Sequence, residues 1–200
     1  MSTGVDVVDL GLTDARRTSL RSFYTKVLSV SELDRFPGGS FHEYLWQCWA
    51  VKEAAYKFVS RGRPGLRFAP TRIEVEGAGP TGGGPVRVRI GALLLYARTW
   101  VSPAIFSIVH DTPDFEGVVH GLHALSEADP DPETQSLAVR GFVLGRLREA
   151  FPGRDWAVSE GCPWVLGEGV RLPLALTHHG RYVGYSLRLL TGLDKATLKD

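Results

Sequence analysis

The pattern of apolar positions is most regular between Ser40 and Gly62, where it predicts a long helix. Apolar side chains recur there at spacings of three and four, as expected for a helix with one buried face. These positions are Tyr44, Cys48, Val51, Ala55 and Phe58. Ser40 and Glu43 have the spacing of a capping box, and Gly62 followed by Pro64 is a stop signal.

Two charged residues lie on the opposite side of this predicted helix. Glu53 is about 200° around the helix axis from Val51, and Lys57 lies one turn beyond Glu53. A carboxylate and an ammonium therefore share the face away from the predicted core, beside Trp46 and Trp49. Taken alone, the pair is also explained as an ordinary surface ion pair at spacing i, i+4.

A short apolar run at residues 3–10 predicts the first strand and contains two acids, Asp6 and Asp9. A carboxylate inside an apolar run is unfavourable unless a hydrogen bond or a metal ion compensates for its burial. Asp6 is therefore a candidate for a functional residue.

The remaining segments predict a mixture of helices and strands. Helices are expected at 14–26, at 28–33 with a capping box from Ser29 to Glu32, and at 137–151. Strands are expected at 72–76, 86–90, 104–110, 115–119, 172–177 and 182–190. The 104–110 and 115–119 strands form a closing hairpin in this interpretation.

Glycine and proline mark the connections between these elements. Gly77–Pro85 predicts a hairpin loop and lacks the Lys-Ser/Thr pair of a phosphate-binding loop. The acidic segment 126–134, with two prolines, predicts a linker, and the polar tail from Asp194 is expected to fray.

Composition narrows the functional classes. The 200 residues include 44% hydrophobic and 22% charged side chains, which is an ordinary globular composition. A net charge of +1 argues against bulk attraction to nucleic acid or a membrane. Cys48 and Cys162 form neither a disulfide framework nor a zinc motif. With no signal peptide or membrane span in the pattern, a cytoplasmic protein is expected.

Two motifs together resemble a known enzyme family. The strand Gly4-Val5-Asp6 and, some forty residues later, the helix segment Trp49-x-x-Lys52-Glu53-x-x-x-Lys57 resemble the signature motifs of the 4′-phosphopantetheinyl transferases. The spacing between the motifs fits the family as well.

The resemblance extends over most of the chain and implies a fold. The first 120 residues resemble the small holo-acyl-carrier-protein synthase type, whereas 136–192, with Gly161-Cys162-Pro163 and Leu176–Tyr182, resembles one lobe of the larger surfactin type. An α+β fold is expected, a two-lobed pseudo-dimer in which each lobe packs a small antiparallel sheet against a long helix.

The two lobes are expected in permuted order. Residues 1–125 would form the first lobe, 126–135 the linker and 136–200 the second lobe. Such a chain would be a monomer. A small-type trimer formed through residues 1–120 is the alternative.

The resemblance also implies the reaction: Mg²⁺-dependent transfer of 4′-phosphopantetheine from coenzyme A to a serine of an acyl or peptidyl carrier protein. Asp6 and Glu53 would be metal ligands, for Mg²⁺ or Mn²⁺. Lys57 would contact the phosphates and stabilise the leaving 3′,5′-ADP. Glu53, or a water on the metal, would take the proton from the serine.

Further coenzyme A contacts are implied outside the first motifs. Thr177 and His178 would bind the pyrophosphate, with Arg140 as a phosphate contact. His110 occupies a position that touches coenzyme A in the small enzymes. A Thr-His pair at a strand end also fits a simple turn.

Two observations leave alternatives open. Arg61, Arg63 and Arg67 form a basic cluster that would dock an acidic carrier helix or would simply be solvated. Val8 replaces an acid of the surfactin type, and Cys162 replaces a lysine. These departures favour the competing hypothesis, a member of the fold without catalytic turnover that binds or supports a carrier protein.

Overall fold

The computed structural model describes residues 3–63, 65–76, 84–127, 130–167 and 169–189. The helices are α1 (Ala15–Thr18), α2 (Arg21–Tyr24), α3 (Val30–Asp34), α4 (Phe41–Ser60) and α5 (Pro132–Ala150). The strands are β1 (Gly4–Val8), β2 (Ile73–Glu76), β3 (Val86–Ile90), β4 (Leu93–Trp100), β5 (Ile105–His110), β6 (Val118–Ala124), β7 (Ala157–Val158), β8 (Trp164–Gly167), β9 (Val170–His179) and β10 (Tyr182–Arg188).

The strands form two antiparallel sheets of five with the same topology. The first sheet has the order β1-β5-β4-β3-β2 and the second the order β6-β10-β9-β8-β7. A long helix follows the first strand of each sheet, α4 between β1 and β2 and α5 between β6 and β7. The chain is thus an internal repeat, and the expected two-lobed α+β fold is confirmed.

The predicted closing hairpin between 104–110 and 115–119 is wrong. β6 pairs with β10 in the second sheet, with Val118 opposite Arg188 and Ala124 opposite Tyr182. β5 already lies between β1 and β4, so neither of its edges is free for another strand. The connection between the sheets is therefore 111–117, where Phe115 and Gly117 adopt positive φ.

The acidic segment has a different place from the one expected. Of 126–134, residues 128–129 lie outside the described residues, and the segment joins β6 to α5 within the second half of the repeat. The lobe boundaries at 125 and 136 stay a prediction. β6, which precedes the first of these boundaries in the sequence, is hydrogen-bonded to β10 of the second sheet. The predicted hairpin loop, apart from Gly84 and Pro85, and the tail from Asp194 also lie outside the described residues.

The two predicted capping boxes have different outcomes. Ser29 and Glu32 form the complete box at the start of α3. At the start of α4, Ser40 Oγ accepts a hydrogen bond from the Glu43 amide at 3.2 Å. The Glu43 carboxylate instead accepts from Gln47 Nε2 at 2.9 Å.

Helix α4 is the central element of the first lobe. One side packs on the first sheet through Val51, Ala54, Ala55 and Val59, and another packs on the segment that contains α2 and α3 through Tyr44, Leu45 and Cys48. Within the described residues, no helix is both long and apolar enough to cross a membrane.

Candidate active site

The candidate site begins where β1 crosses α4 at very short range. A Cβ atom on Gly4 would lie 2.0 Å from the carbonyl oxygen of Ala54, so only glycine allows this approach. Asp6 lies two residues further along β1 and, by strand alternation, points to the same side as Gly4. The Asp6 side chain is therefore directed towards the last turns of α4.

Three side chains from these two elements meet there. Lys57 Nζ lies 2.7 Å from Asp6 Oδ1 and 3.3 Å from Glu53 Oε1. The Asp6 side chain is buried, whereas those of Glu53 and Lys57 are about one third exposed, at 28% and 30%. The face that was expected to point away from the core therefore lies against β1 and remains open to solvent.

The second sheet completes this cluster through Thr177 of β9. Thr177 Oγ1 accepts a hydrogen bond from the Val7 amide at 3.1 Å and lies 3.2 Å from Asp6 Oδ1 and 3.4 Å from Lys57 Nζ. Two residues on, His179 Nδ1 accepts from the Asp9 amide at 2.9 Å. Side chains of β9 thus occupy the open edge of β1, and the site lies at the seam between the sheets.

The burial of this cluster changes the acidity of its members. Burial raises the pKa of Asp6 from 3.8 to about 6, even though Lys57 opposes the shift. Burial alone would lower the pKa of Lys57, but Asp6 and Glu53 outweigh it and the pKa is raised. Lys57 is therefore a permanent cation at neutral pH.

His178 lies next to this cluster, with an exposed side chain on β9. Partial desolvation lowers its pKa, and electrostatic interactions with Lys57, His179 and Arg140 lower it further. The imidazole is therefore mainly neutral at pH 7. The effect of Arg140 also shows that α5 brings this guanidinium within electrostatic range of the seam.

Comparison with known proteins bears on this cluster. Residues 2–85 match the family model of the 4′-phosphopantetheinyl transferase superfamily. This segment belongs to that superfamily. It contains Asp6, Glu53 and Lys57, while Thr177 and His178 lie beyond it. No curated protein and no solved structure matched the chain.

The other residues singled out by the transferase motifs have structural roles in this geometry. Lys52 is completely buried, and its Nζ donates to Glu32 Oε2 at 2.5 Å and to the Val27 carbonyl at 2.7 Å. Glu32 Oε1 in turn accepts from the Val75 amide at 2.8 Å. This pair ties the segment before α4 to the helix and to the first sheet, and sequence periodicity did not reveal its partner.

Asp9 and Val8 supply no further carboxylate to the cluster. β1 ends at Val8, which packs against Ala50 and Ile105. Asp9 lies beyond the strand and caps the following turn, where its Oδ1 accepts from the Gly11 amide at 2.9 Å. The cluster around Lys57 therefore has two acids, Asp6 and Glu53, among the described residues.

The two other residues predicted to contact a ligand, His110 and Arg140, are less exposed than His178. His110 is fully buried at the end of β5, with Nδ1 3.0 Å from Thr112 Oγ1 and Nε2 3.3 Å from Asp111 Oδ1. Arg140 donates to the Ser136 carbonyl at 2.9 Å and to the Ser136 hydroxyl. Both roles in coenzyme A binding stay predictions.

Arg61 has a role that the sequence did not indicate. Its guanidinium donates across the seam to the carbonyl of Pro163 at 3.3 Å and to that of Leu174. It also lies over the Trp164 ring, 5.7 Å from the centroid. Arg63 and Arg67, by contrast, are exposed. Of the predicted basic cluster, Arg61 therefore connects the two sheets, whereas the other two arginines face solvent.

The donor set fits a small divalent cation. In the part of the chain that the structure describes, no group of three or more His, Cys, Asp or Glu side chains could hold a metal ion. However, the carboxylates of Asp6 and Glu53 both approach one cation, the Lys57 ammonium. Magnesium sites formed with substrate phosphates often use one or two carboxylates, with water and phosphate as the other ligands.

Proposed function

We propose that this protein transfers 4′-phosphopantetheine from coenzyme A to a serine of an acyl or peptidyl carrier protein and releases 3′,5′-ADP. The observation that carries the proposal is the convergence of Asp6, Glu53, Lys57 and Thr177 at the seam between the sheets. Two acids and a fixed ammonium in an open, partly buried position suit the handling of a pyrophosphate.

Asp6 and Glu53 are the residues that would hold Mg²⁺, or Mn²⁺, in this account. When bound there, such an ion would help to neutralise the charge of the pyrophosphate. Asp6 is the more deeply placed ligand, and the Thr177 hydroxyl orients its Oδ1 by a 3.2 Å contact. The raised pKa of Asp6, about 6, means that this carboxyl is half ionised near pH 6, so protons compete with the metal ion at and below that pH.

The transfer itself is a displacement at phosphorus. The carrier serine oxygen forms a bond to the phosphorus that bears the pantetheine arm, and the bond from that phosphorus to the bridging oxygen of 3′,5′-ADP breaks. Glu53 Oε1 faces Lys57, so we assign Oε2, directly or through water, to accept the serine proton. Lys57 donates hydrogen bonds to the phosphate oxygens and stabilises the charge on the departing 3′,5′-ADP.

The second lobe would hold coenzyme A from the other side of the seam. Thr177 and His178 are adjacent on β9, and the exposed, mainly neutral imidazole of His178 would donate a hydrogen bond to the pyrophosphate. Arg140 would add positive charge. A contact from His110 requires that its buried side chain become exposed when ligand binds.

A cavity beside Arg61 would accept the adenine end of coenzyme A. It has a volume of about 490 Å³ and is lined by Arg61, Arg63 and Trp164, among others. It lies next to Gly161-Cys162-Pro163, where the resembling enzymes carry a lysine. Arg61 and Arg63 would supply the positive charge that Cys162 does not.

A carrier protein would dock beside the cleft on its basic side. Arg63 and Arg67 remain available to an acidic carrier surface, since their side chains are exposed.

The oligomeric state follows from the origin of the cleft. Both sides of the cleft come from one chain, so the proposed active form is a monomer. Light scattering of the purified protein would test this, and a trimer would contradict it.

The proposal is tested by intact mass spectrometry of apo carrier proteins from fatty acid, polyketide and nonribosomal peptide systems. Each would be incubated with the protein, coenzyme A and Mg²⁺. We expect at least one carrier to gain the mass of one phosphopantetheine, and EDTA to prevent the gain. Measurable coenzyme A binding without transfer to any carrier would favour the non-catalytic alternative.

A further inference from the structure

Side chains of β9 occupy the edge of β1 that faces away from β5. The Val7 amide donates to Thr177 Oγ1 at 3.1 Å, and the Asp9 amide, just beyond the end of β1, donates to His179 Nδ1 at 2.9 Å. The two donors are two residues apart, and so are the two acceptors, because alternate residues of a strand face the same side. Thr177 and His179 therefore take the place of a neighbouring strand along this edge.

The two acceptors differ in their chemistry. The Thr177 hydroxyl also lies 3.2 Å from Asp6 Oδ1 and 3.4 Å from Lys57 Nζ, so it belongs to the candidate active site. An imidazole nitrogen, in contrast, accepts a hydrogen bond only when it carries no proton. The bond from the Asp9 amide therefore requires a neutral His179 with its proton on Nε2.

The turn that follows His179 is held from two sides. Gly180 has a positive φ of 55°, and a Cβ atom there would lie 2.7 Å from Asp9 Oδ2 and from Leu12 Cδ1. On the other side, Nε2 of Gln135 in α5 donates to the Gly180 carbonyl at 2.6 Å. These contacts keep the imidazole close to the Asp9 amide.

We propose that His179 is a positioning residue, which aligns β9 on β1 so that Thr177 reaches the Lys57 ammonium. One hydrogen bond between the strands would fix a point of contact, whereas two bonds on alternate residues also fix the direction of β9 along β1. His178 lies between the two acceptors, so its backbone is held on both sides. The alignment does not depend on the proposed reaction, but its effect on coenzyme A binding rests on that proposed function.

His179→Asn and His179→Gln form a matched pair of variants. The asparagine side-chain oxygen is two bonds from Cβ, as Nδ1 is in histidine, so it can accept from the Asp9 amide. The glutamine oxygen is three bonds from Cβ, as Nε2 is in histidine, and it misses that position. Both side chains are neutral amides, so the comparison isolates the position of the acceptor.

Hydrogen exchange of the backbone amides, followed by NMR on the full chain without ligand, tests the alignment directly. We expect His179→Gln to speed exchange at both Asp9 and Val7 about fivefold, and His179→Asn to stay within about twofold of wild type. The Val7 amide is decisive, because it is bound by Thr177 and would not respond to a purely local loss at His179. The amide of Ala55, a buried residue of α4, should be unchanged and shows that the lobe is folded.

Coenzyme A affinity, measured by calorimetry, tests the consequence for the candidate site. It should fall about fivefold for His179→Gln and remain within about twofold of wild type for His179→Asn. A wild-type chain that does not bind coenzyme A would contradict the proposed function, and the exchange rates would still decide the alignment. Unchanged exchange at Val7 in folded His179→Gln, or equal effects of the two variants, would overturn the inference. Coenzyme A binding in His179→Gln as tight as in wild type would overturn it as well.

Discussion

The ammonium of Lys57 lies 2.7 Å from Oδ1 of Asp6, which ties the last turn of α4 to the first strand. Glu53 and Thr177 reach the same ammonium at 3.3 and 3.4 Å. One cation thus has contacts from both sheets and from the long helix. This arrangement accounts for a carboxylate in a strand whose other residues are apolar.

Asp6 is expected to make stability depend on pH. Its folded pKa of about 6 exceeds the ordinary value of 3.8, so the folded chain binds this proton more tightly than the unfolded chain. Ionised Asp6 therefore lowers the free energy of unfolding, and the loss develops as the pH rises from about 4 to about 6.

Asp6→Asn removes this titration and isolates its effect. In metal-free urea denaturation, the stability of the variant relative to wild type should increase by about 2 kcal/mol between pH 4 and pH 7. A relative stability that stays constant, or falls, over this range would show that burial does not control the Asp6 carboxyl.

Lys52→Met is expected to destabilise the fold strongly. The substitution leaves the Glu32 carboxylate buried without its cation, which costs about 3–5 kcal/mol in comparable buried pairs. Lys26→Met, at an exposed position, should change the free energy of unfolding by less than about 0.5 kcal/mol. Equal effects in urea denaturation would mean that the Lys52–Glu32 pair does not stabilise the lobe.

Arg61→Met is expected to loosen the contact between the sheets. The variant keeps much of the apolar stem but loses the hydrogen bonds to the Pro163 and Leu174 carbonyls, and a loss of about 1–3 kcal/mol in unfolding free energy should follow. Arg63→Met is the matched control, because Arg63 is exposed two residues away. A larger loss for Arg63→Met would contradict the assignment.

Thr177→Val is expected to weaken coenzyme A binding. The isosteric change removes the hydroxyl that contacts the Val7 amide, Asp6 and Lys57. Calorimetry should show an affinity about tenfold lower, with Thr177→Ser restoring most of it. If both variants bind coenzyme A as wild type does, β9 is not part of the ligand site.

The long helix and its charged face could be predicted from the sequence because periodicity within one helix is a local property. Glu53 and Lys57 are four residues apart on α4, and the structure brings them together as expected. The position of Thr177 relative to Asp6 depends on the packing of two sheets. No local pattern contains that information, and it entered the sequence analysis only through the family resemblance.

The errors also have physical causes. Helix α5 begins at Pro132, inside the predicted linker, because the Asp131 side chain caps it and proline is tolerated in the first turn. β6 was assigned to the wrong hairpin because strand pairing depends on which sheet edges are free. The partner of Lys52 was not found from the helix pattern, because Glu32 lies twenty residues away along the chain.

The most direct test of the central claim is the single-turnover rate of phosphopantetheine transfer for Glu53→Gln, measured beside Glu43→Gln on a responsive carrier protein. Both substitutions remove one carboxylate from α4, but only Glu53 contacts Lys57. We predict a loss of about 100-fold or more for Glu53→Gln and a rate within about twofold of wild type for Glu43→Gln. A Glu53→Gln variant that transfers at the wild-type rate would contradict the proposed site.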